Sequence, residues 1–155
     1  MITESIPGWG DVSLEYLLVD FNGTAAFDGE LREDVKEMLT ALSSHVQVFL
    51  VTADTYGTVE RQRASGKITV EVEKALTGRE KAELVRKLGP EKVAAIGNGA
   101  NDALMLREAA LGIGVIGQEG CAATILKEAD IVVTDIVDAL ELLLYPKRLV
   151  ATLRD

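Results

Sequence analysis

Two short segments of this chain place glycine, carboxylate and amide residues directly after an apolar run. Residues 17–19 lead into residues 20–24, Asp-Phe-Asn-Gly-Thr, and residues 93–96 lead into residues 97–102, Gly-Asn-Gly-Ala-Asn-Asp. Such turns present acidic oxygens at the carboxyl edge of a sheet, where open α/β folds bind their ligands. A nucleophilic aspartate and metal ligands delivered to one edge would form a site for phosphoryl transfer.

The candidate nucleophile is Asp20, which lies where the first apolar run ends. Gly23 and Thr24 follow it in a tight turn whose backbone N–H groups can face an anion. An aspartate in this place could attack phosphorus and form an acyl phosphate. The alternative is an aspartate that only caps the turn.

Thr52 and Lys81 are candidates for holding a phosphoryl group. Thr52 follows the apolar residues 48–51, and its hydroxyl could donate to a phosphate oxygen. Alternatively, Thr52 or Asp54 is the N-cap of a helix. Lys81 lies in the first turn of a predicted helix, where its ammonium could neutralise phosphate charge. Alternatively, it is a solvated surface lysine.

The turn at residues 97–102 is the candidate metal site. Its glycines allow the backbone to turn sharply. Asn98 and Asp102 lie four residues apart and could both reach one Mg²⁺, which prefers oxygen ligands and keeps several waters. The alternative is a helix start capped by Asn98 or Asn101.

Patterns typical of strands and helices alternate along the chain, and these elements must position the candidate residues. Apolar runs predict buried strands over residues 16–21, 46–51, 93–96, 111–116 and 131–134. Strict alternation predicts a half-exposed edge strand over residues 67–73. Helices are predicted over residues 31–42, 55–64, 79–88, 101–110, 118–129, 136–144 and 147–154.

Two helices carry capping signals. Thr77 and Glu80 form a capping box for the helix over residues 79–88, and Asp135 caps the helix over residues 136–144. The alternation as a whole predicts an α/β fold with three layers, a doubly wound and mostly parallel sheet with helices on both faces. We expect one domain over residues 1–155.

Composition excludes several classes of function. The formal charge is −9, from 25 acidic and 16 basic residues, which argues against nucleic acid and anionic membranes as partners. No apolar run of about 18 residues exists to span a bilayer. Residues 1–10 lack the pattern of a signal peptide, so we expect a cytoplasmic protein. Cys121 is the only cysteine, so it forms no intrachain disulfide.

Taken together and in this order, Asp20 with residues 21–24, residues 51–54, Lys81 and residues 97–104 resemble the haloacid dehalogenase-like superfamily. More closely, the chain resembles the phosphorylation domain of P-type ATPases and the small soluble proteins related to it. The resemblance covers about residues 15–145. It implies a Rossmann-like core and phosphohydrolase chemistry that depends on Mg²⁺ and passes through an aspartyl phosphate.

The resemblance also implies a role for each candidate residue. Asp20 would be the nucleophile and a metal ligand, and the carbonyl of Asn22 would also bind the metal. Thr52 and Lys81 would hold the phosphoryl group. The site would be completed on the phosphate side by backbone amides near Asn22, Gly23 and Ala53, and on the metal side by Asn98, Asn101 and Asp102.

Two asparagines depart from the pattern that the resemblance implies. Many phosphatases of the superfamily have a second aspartate where this chain has Asn22, and that aspartate protonates the leaving group and later activates water. An amide can do neither, and such acid–base catalysis is worth about 10²–10⁴ in rate. Asn98 replaces an aspartate that usually coordinates Mg²⁺, so weaker metal binding is expected.

The spacing leaves no room for a cap domain. Only 31 residues separate Asp20 from Thr52, and 28 separate Thr52 from Lys81. Residues 25–30, with Asp28-Gly29 as a turn, could form only a small flap. An open site suits a bulky phosphorylated substrate, or a partner subunit in a homo-oligomer supplies the lid.

Two other functions compete with a phosphatase. A non-catalytic protein of the same fold could bind phosphate, a nucleotide or another protein, and the two asparagines favour it. Residues 112–117 match the dinucleotide fingerprint G-x-G-x-x-G, with Asp135 at the place of a ribose-binding acid. These glycines fall inside a predicted strand, however, so their small size more simply lets a helix pack closely on it.

Overall fold

The structure of the protein is a computed structural model that describes residues 1–53, 57, 59, 61, 64, 70–75 and 77–155. Its strands are β1 (Ile2–Ile6), β2 (Gly10–Leu14), β3 (Tyr16–Asp20), β4 (Ala26–Phe27), β5 (Glu30–Leu31), β6 (Gln47–Thr52), β7 (Glu71–Lys74), β8 (Val93–Gly97), β9 (Leu111–Val115) and β10 (Ile131–Val133). Six of them form a central sheet in the order β10-β9-β8-β3-β6-β7, and every neighbouring pair in it is parallel.

Helices cover both faces of this sheet. They are α1 (Glu33–Leu42), α2 (Gly78–Leu88), α3 (Ala103–Glu108), α4 (Ile125–Glu128), α5 (Ile136–Leu144) and α6 (Pro146–Leu153). Leu17 and Val19 of β3 belong to one apolar cluster with side chains of α1, α5 and α6, whereas Leu18 belongs to a second cluster with side chains of α2 and α3. Side chains of a strand alternate between faces, so the sheet is buried on both sides. The predicted three-layer, parallel α/β fold is confirmed.

Strand register brings the two chemistry-bearing turns together. Asp20 pairs with Val51, so Thr52 extends one residue further along β6. Val19 pairs with Ile96, so the turn that begins at Gly97 lies beside the turn that follows Asp20. Because the strands are parallel, both turns emerge at the same edge of the sheet.

Several predicted boundaries need correction. The first helix begins at Glu33 rather than at residue 31, because Leu31 pairs with Ala26 in a two-stranded hairpin. This hairpin, with Asp28 and Gly29 at positive φ, is the small flap that the sequence predicted. Proline at residue 146 starts α6 rather than interrupting the chain, since the first helical turn needs no N–H there.

Residues 118–129 do not form the single helix that was predicted. Only Ile125–Glu128 is helical. Gly120 has a φ of 86°, a left-handed value, and the backbone N–H of Ala122 donates to the carbonyl of Asn98 at 2.8 Å. The segment before α4 therefore bonds to the neighbouring turn and closes a tight turn from Gly117 to Gly120, which leaves no helical ladder.

Two predicted elements lie partly outside the described residues. The helix over residues 55–64 falls largely outside them, as does the first part of the strand over residues 67–73. The described end of that strand, β7, lies at the edge of the sheet as predicted.

One element was not predicted at all. The antiparallel hairpin of β1 and β2 buries Ile6 and Leu14 in the larger apolar cluster. Val12 and Leu14 alternate with Asp11 and Ser13, which is a strand pattern that was overlooked. No helix in the described ranges is both long and apolar enough to cross a bilayer.

The glycines of residues 112–117 serve close packing within β9. A Cβ at Gly112 would lie 2.6 Å from the backbone oxygen of Leu106, and one at Gly114 would lie 2.5 Å from Cγ2 of Ile125. Asp135 bonds to the backbone N–H of Val137 as the N-cap of α5. The motif therefore acts as a contact surface for α3 and α4, which is the simpler of the two interpretations.

Gly112→Ala should destabilise the fold by about 1–3 kcal/mol, because its Cβ would overlap a backbone atom that cannot move freely. Urea unfolding followed by circular dichroism measures the loss. Gly117→Ala is the graded control, since its Cβ would approach Gly23 O only to 3.3 Å and should cost less. Equal losses in the two variants would contradict the packing argument.

Candidate active site

A buried ion cluster lies at the carboxyl edge of the sheet. Nζ of Lys81 is 2.6 Å from Oδ1 of Asp20 and 2.6 Å from Oδ1 of Asp102. Lys81 and Asp102 are fully buried, and Asp20 is 5% exposed. A single ammonium thus bridges two carboxylates that come from residues far apart in the chain.

Local structure explains why a lysine is buried here. The Thr77 hydroxyl accepts from the backbone N–H of Glu80, and the Glu80 carboxylate accepts from that of Thr77, so α2 begins with the predicted capping box. A Cβ at Gly78 would lie 2.8 Å from the backbone oxygen of Asn101, so the start of α2 packs closely on the turn at residues 97–102. Lys81, one helical turn on, points into the cluster, so a solvated surface lysine is ruled out.

Asp102 holds both Lys81 and its own turn. Its Oδ2 accepts from the backbone N–H groups of Asn98 at 3.1 Å and Gly99 at 2.9 Å. The close approach requires glycine at 97, where a Cβ would lie 2.5 Å from Cβ of Asp102. Both oxygens of Asp102 therefore have partners, and ligation of a metal would replace one of these contacts.

Thr24 connects the two turns, a role that the sequence analysis missed. Its Oγ1 lies 3.0 Å from Oδ2 of Asp20 and 2.9 Å from Oδ1 of Asn98. The hydroxyl carries one proton, so it donates to one of these oxygens at a time. The sequence feature that could have identified this role is the position of Thr24, four residues after Asp20 in the tight turn.

The remaining predicted residues lie around this cluster. Asn22 is exposed, and its Nδ2 donates to Oγ1 of Thr52 at 3.3 Å. Gly23 has a φ of 79°, which glycine adopts without strain. Ala53 follows Thr52 directly, and Asn101 is exposed on the outer side of its turn.

The cluster shifts the acidity of its members. Burial and, next, the charge of Asp102 together raise the pKa of Asp20 to about 7, against the opposing effect of Lys81 and Thr24. Burial alone would lower the pKa of Lys81, but the charges of Asp20 and Asp102 raise it above its ordinary value, so Lys81 keeps its proton. Since the folded pKa of Asp20 is raised, its protonation favours the fold below about pH 4, and this contribution is lost as the pH rises through about 7.

The oxygen atoms at this edge fit a hard divalent cation. Oδ2 of Asp20 and Oδ1 of Asn98 are both within hydrogen-bond distance of the Thr24 hydroxyl. A carboxylate and an amide oxygen, completed by waters, are ligands typical of Mg²⁺. Within the described ranges, no group of three His, Cys, Asp or Glu residues could hold a metal ion, so a cation here would depend on Asn98, a backbone carbonyl and water besides Asp20.

A cleft opens beside the cluster, on the other side of Thr24. Its empty volume, which includes some open solvent, is about 430 Å³. The flap, the ends of β9 and β10 and the start of α5 form its walls, and the charged side chains among them are Arg32, Glu119 and Asp135. Arg32 forms an ion pair with Asp135 at 2.9 Å and a second with Asp34.

The Lys81→Met variant should be much less stable to unfolding than the unmodified protein, because two buried carboxylates would lose their counter-charge. Breaking a buried pair costs about 3–5 kcal/mol. The control is Arg86→Met, which removes an exposed ion pair with Glu108 and should change stability little. The midpoints of urea unfolding measure the stability of both variants. A similarly small change in each would contradict the large contribution to stability that we assign to Lys81.

Comparison with known proteins gives a family for this fold and cluster. The model of the hydrolases described as haloacid dehalogenase-like matches residues 3–110, which include Asp20, Thr52, Lys81, Asn98 and Asp102. An uncharacterized protein of Methanocaldococcus jannaschii is 53% identical over 73 residues, which are 47% of this chain and 78% of that protein. A phospholipid-transporting ATPase of Saccharomyces cerevisiae is 30% identical over 135 residues, which are 87% of this chain and 10% of the ATPase.

Solved structures agree on the architecture. The 3-deoxy-D-manno-octulosonate 8-phosphate phosphatase of Moraxella catarrhalis, in complex with magnesium, phosphate and the sugar acid, has a TM-score of 0.68 at 21% identity, covering 91% of this chain and 94% of its own. A zinc-transporting P-type ATPase has a TM-score of 0.60 at 25% identity, covering 79% of this chain and 21% of the transporter. The family match, the parallel sheet and the buried cluster lead to one conclusion: this chain belongs to the haloacid dehalogenase-like hydrolases.

Proposed function

We propose that the protein is a Mg²⁺-dependent phosphatase that forms an aspartyl phosphate on Asp20. The observation that carries the proposal is the contact of the buried Lys81 ammonium with Asp20, at the end of β3, and with Asp102, in the turn that follows β8. Family membership supplies the hydrolase chemistry. The substrate is a phosphomonoester.

In the proposed reaction, a carboxylate oxygen of Asp20 attacks phosphorus, and the bond from phosphorus to the leaving oxygen breaks. Lys81 neutralises negative charge beside Asp20, and the Thr52 hydroxyl donates to a phosphoryl oxygen together with the backbone amide of Ala53. The backbone amide of Gly23 would join them only by giving up the carbonyl of Ala26, to which it donates at 2.9 Å. Water then attacks phosphorus of the acyl phosphate, releases inorganic phosphate and regenerates the Asp20 carboxylate.

A bound Mg²⁺ would supply positive charge that keeps Asp20 ionised near neutral pH and offsets charge on the phosphoryl oxygens. Asp20, the carbonyl of Asn22 and Asn98 would hold it. Asp102 would join them only by giving up one of its present contacts. Asn101 stays on the outer side of this group.

Asn22 sets the rate of the proposed reaction. Its amide cannot protonate a leaving oxygen or activate water, so the leaving group takes its proton from solvent and the acyl phosphate persists. The side chain contacts Thr52 and is exposed, so it lies where a substrate's leaving group could meet it. An uncapped site of this kind accepts a bulky substrate, or a second protomer covers it.

A non-catalytic binding protein is the second candidate. The observation that favours it is that, in the part of the chain that the structure describes, every buried side-chain nitrogen or oxygen has a hydrogen-bond partner. A site whose groups satisfy one another is stable without any ligand. This protein would bind phosphate without releasing it from an ester.

Asp20→Asn should reduce phosphate release to background, because an amide oxygen is a far weaker nucleophile than a carboxylate. The assay follows p-nitrophenol from p-nitrophenyl phosphate with Mg²⁺. Asp138→Asn, a change at an exposed carboxylate in α5, is the matched control and should keep activity. Equal release by Asp20→Asn and the unmodified protein would remove the proposed nucleophile. No release by the unmodified protein would favour the binding protein.

Asn22→Asp should raise the steady-state rate, by up to about 10²–10⁴, because it restores an acid and base beside the acyl phosphate. Rapid mixing should show a burst of p-nitrophenol, equal to the enzyme concentration, in the unmodified protein and no burst in the variant. Asn22→Ser separates the new carboxylate from loss of the amide and should not accelerate turnover. An unchanged rate in Asn22→Asp would contradict slow hydrolysis of the acyl phosphate.

A further inference from the structure

The side chain of Asn98 takes part in two hydrogen bonds, in one as acceptor and in the other as donor. Its Oδ1 lies 2.9 Å from Oγ1 of Thr24 and accepts when that hydroxyl turns away from Asp20, and its Nδ2 donates to the carbonyl of Gly120 at 3.1 Å. Its backbone carbonyl accepts from the N–H of Ala122 at 2.8 Å. Asn98 is 8% exposed, so these bonds form largely out of water.

The segment that Asn98 holds packs directly on the turn that carries Asp20. A Cβ at Gly23 would lie 2.9 Å from Nδ2 of Asn98 and 3.4 Å from Cβ of Glu119, and one at Gly117 would lie 3.3 Å from the oxygen of Gly23. Neither position has room for a larger residue without movement. Residues 117–122 therefore depend on their fit to this turn and to Asn98, and they have no helix of their own.

We propose that Asn98 is a positioning residue that holds residues 117–122 against the turn of Asp20, and that this role requires an amide. A carboxylate could still accept from Thr24, but it has no N–H for the Gly120 carbonyl, and two oxygens 3.1 Å apart would repel each other. The asparagine thus supplies a hydrogen bond that an aspartate cannot, besides removing one negative charge.

The held segment shapes the cleft beside the site. Gly117, Gln118 and Glu119 form part of its wall, and Thr24 faces it from the nucleophile's turn. If the proposed phosphatase function holds, the leaving group of a phosphomonoester occupies this cleft, and Asn98 acts on substrate binding through the wall.

The first test measures the segment itself and does not depend on catalysis. Hydrogen exchange of residues 117–124 should accelerate about tenfold in both Asn98→Ala and Asn98→Asp, the change expected for loss of one buried hydrogen bond. Exchange in β6 is the internal reference. Gln118→Ala is the matched control, because it removes an exposed side chain of the same segment and leaves the contacts with Asn98 in place.

The two Asn98 variants separate the lost donor from the added charge. Acceleration in both supports the amide's role. Acceleration in Asn98→Asp alone would assign the effect to charge, and unchanged exchange in both would show that Asn98 does not hold the segment. Either of these two results overturns the proposal.

The second test asks whether the segment acts on the substrate. In Asn98→Ala, KM for p-nitrophenyl phosphate should rise at least threefold more than KM for acetyl phosphate, whose leaving group is too small to need the wall, while kcat changes less. Asp138→Asn is the reference variant. Equal changes of KM for both substrates would show that Asn98 has only a general structural role and does not act on the binding of the leaving group. Inactivity of the unmodified protein with either substrate would refute the phosphatase, while hydrogen exchange would still decide whether the amide holds the segment.

Discussion

The bridge of Lys81 between Asp20 and Asp102 is the contact on which the arrangement at this sheet edge depends. Without the ammonium, two carboxylates would lie buried at the ends of adjacent strands with no counter-charge, and burial of an unpaired charge is strongly unfavourable. With it, both turns and the start of α2 are tied to one point. The same bridge keeps Lys81 protonated and positioned beside the carboxylate that we propose as the nucleophile.

This bridge explains why the neighbouring sequence is rich in glycine. Gly78 lets α2 approach the backbone of Asn101, and Gly97 makes room for the Asp102 side chain. A β-carbon at either place would lie within 2.8 Å of an atom of the second turn. The glycines are therefore consequences of a buried ion pair between distant segments, and of the two only Gly97, in the glycine-rich turn, helped to predict the site from the sequence.

What could be predicted from the sequence follows from how local each signal is. The strands that carry Asp20 and Thr52 are unbroken apolar runs, and the capping box of Thr77 lies within four residues, so a short window contains all that is needed. Residues 118–124 were wrongly predicted as helix, because their backbone bonds to Asn98, some 20 residues earlier. The role of Thr24 in connecting the two turns was not predicted for the same reason. Its partner Asn98 is distant in sequence, and only the parallel pairing of strands brings the two together.

The two asparagines have different physical consequences. Asn22 lies exposed on the solvent side of the turn, and a carboxylate there would lose only the hydrogen bond that the Asn22 amide donates to Thr52. Asn98 is buried between three segments, so a carboxylate at 98 would disturb the packing as well.

Charge gives a second reason for the amide at 98. With Asp20 ionised, Asp20, Asp102 and Lys81 together carry a net charge of −1, and a carboxylate at 98 would double it at the edge where we propose that a phosphoryl group binds. Two like charges 4 Å apart repel by about 4 kcal/mol at the effective dielectric constant of a protein surface. An amide at 98 would therefore weaken the hold on a cation but reduce repulsion of the phosphoryl group that we propose to bind here.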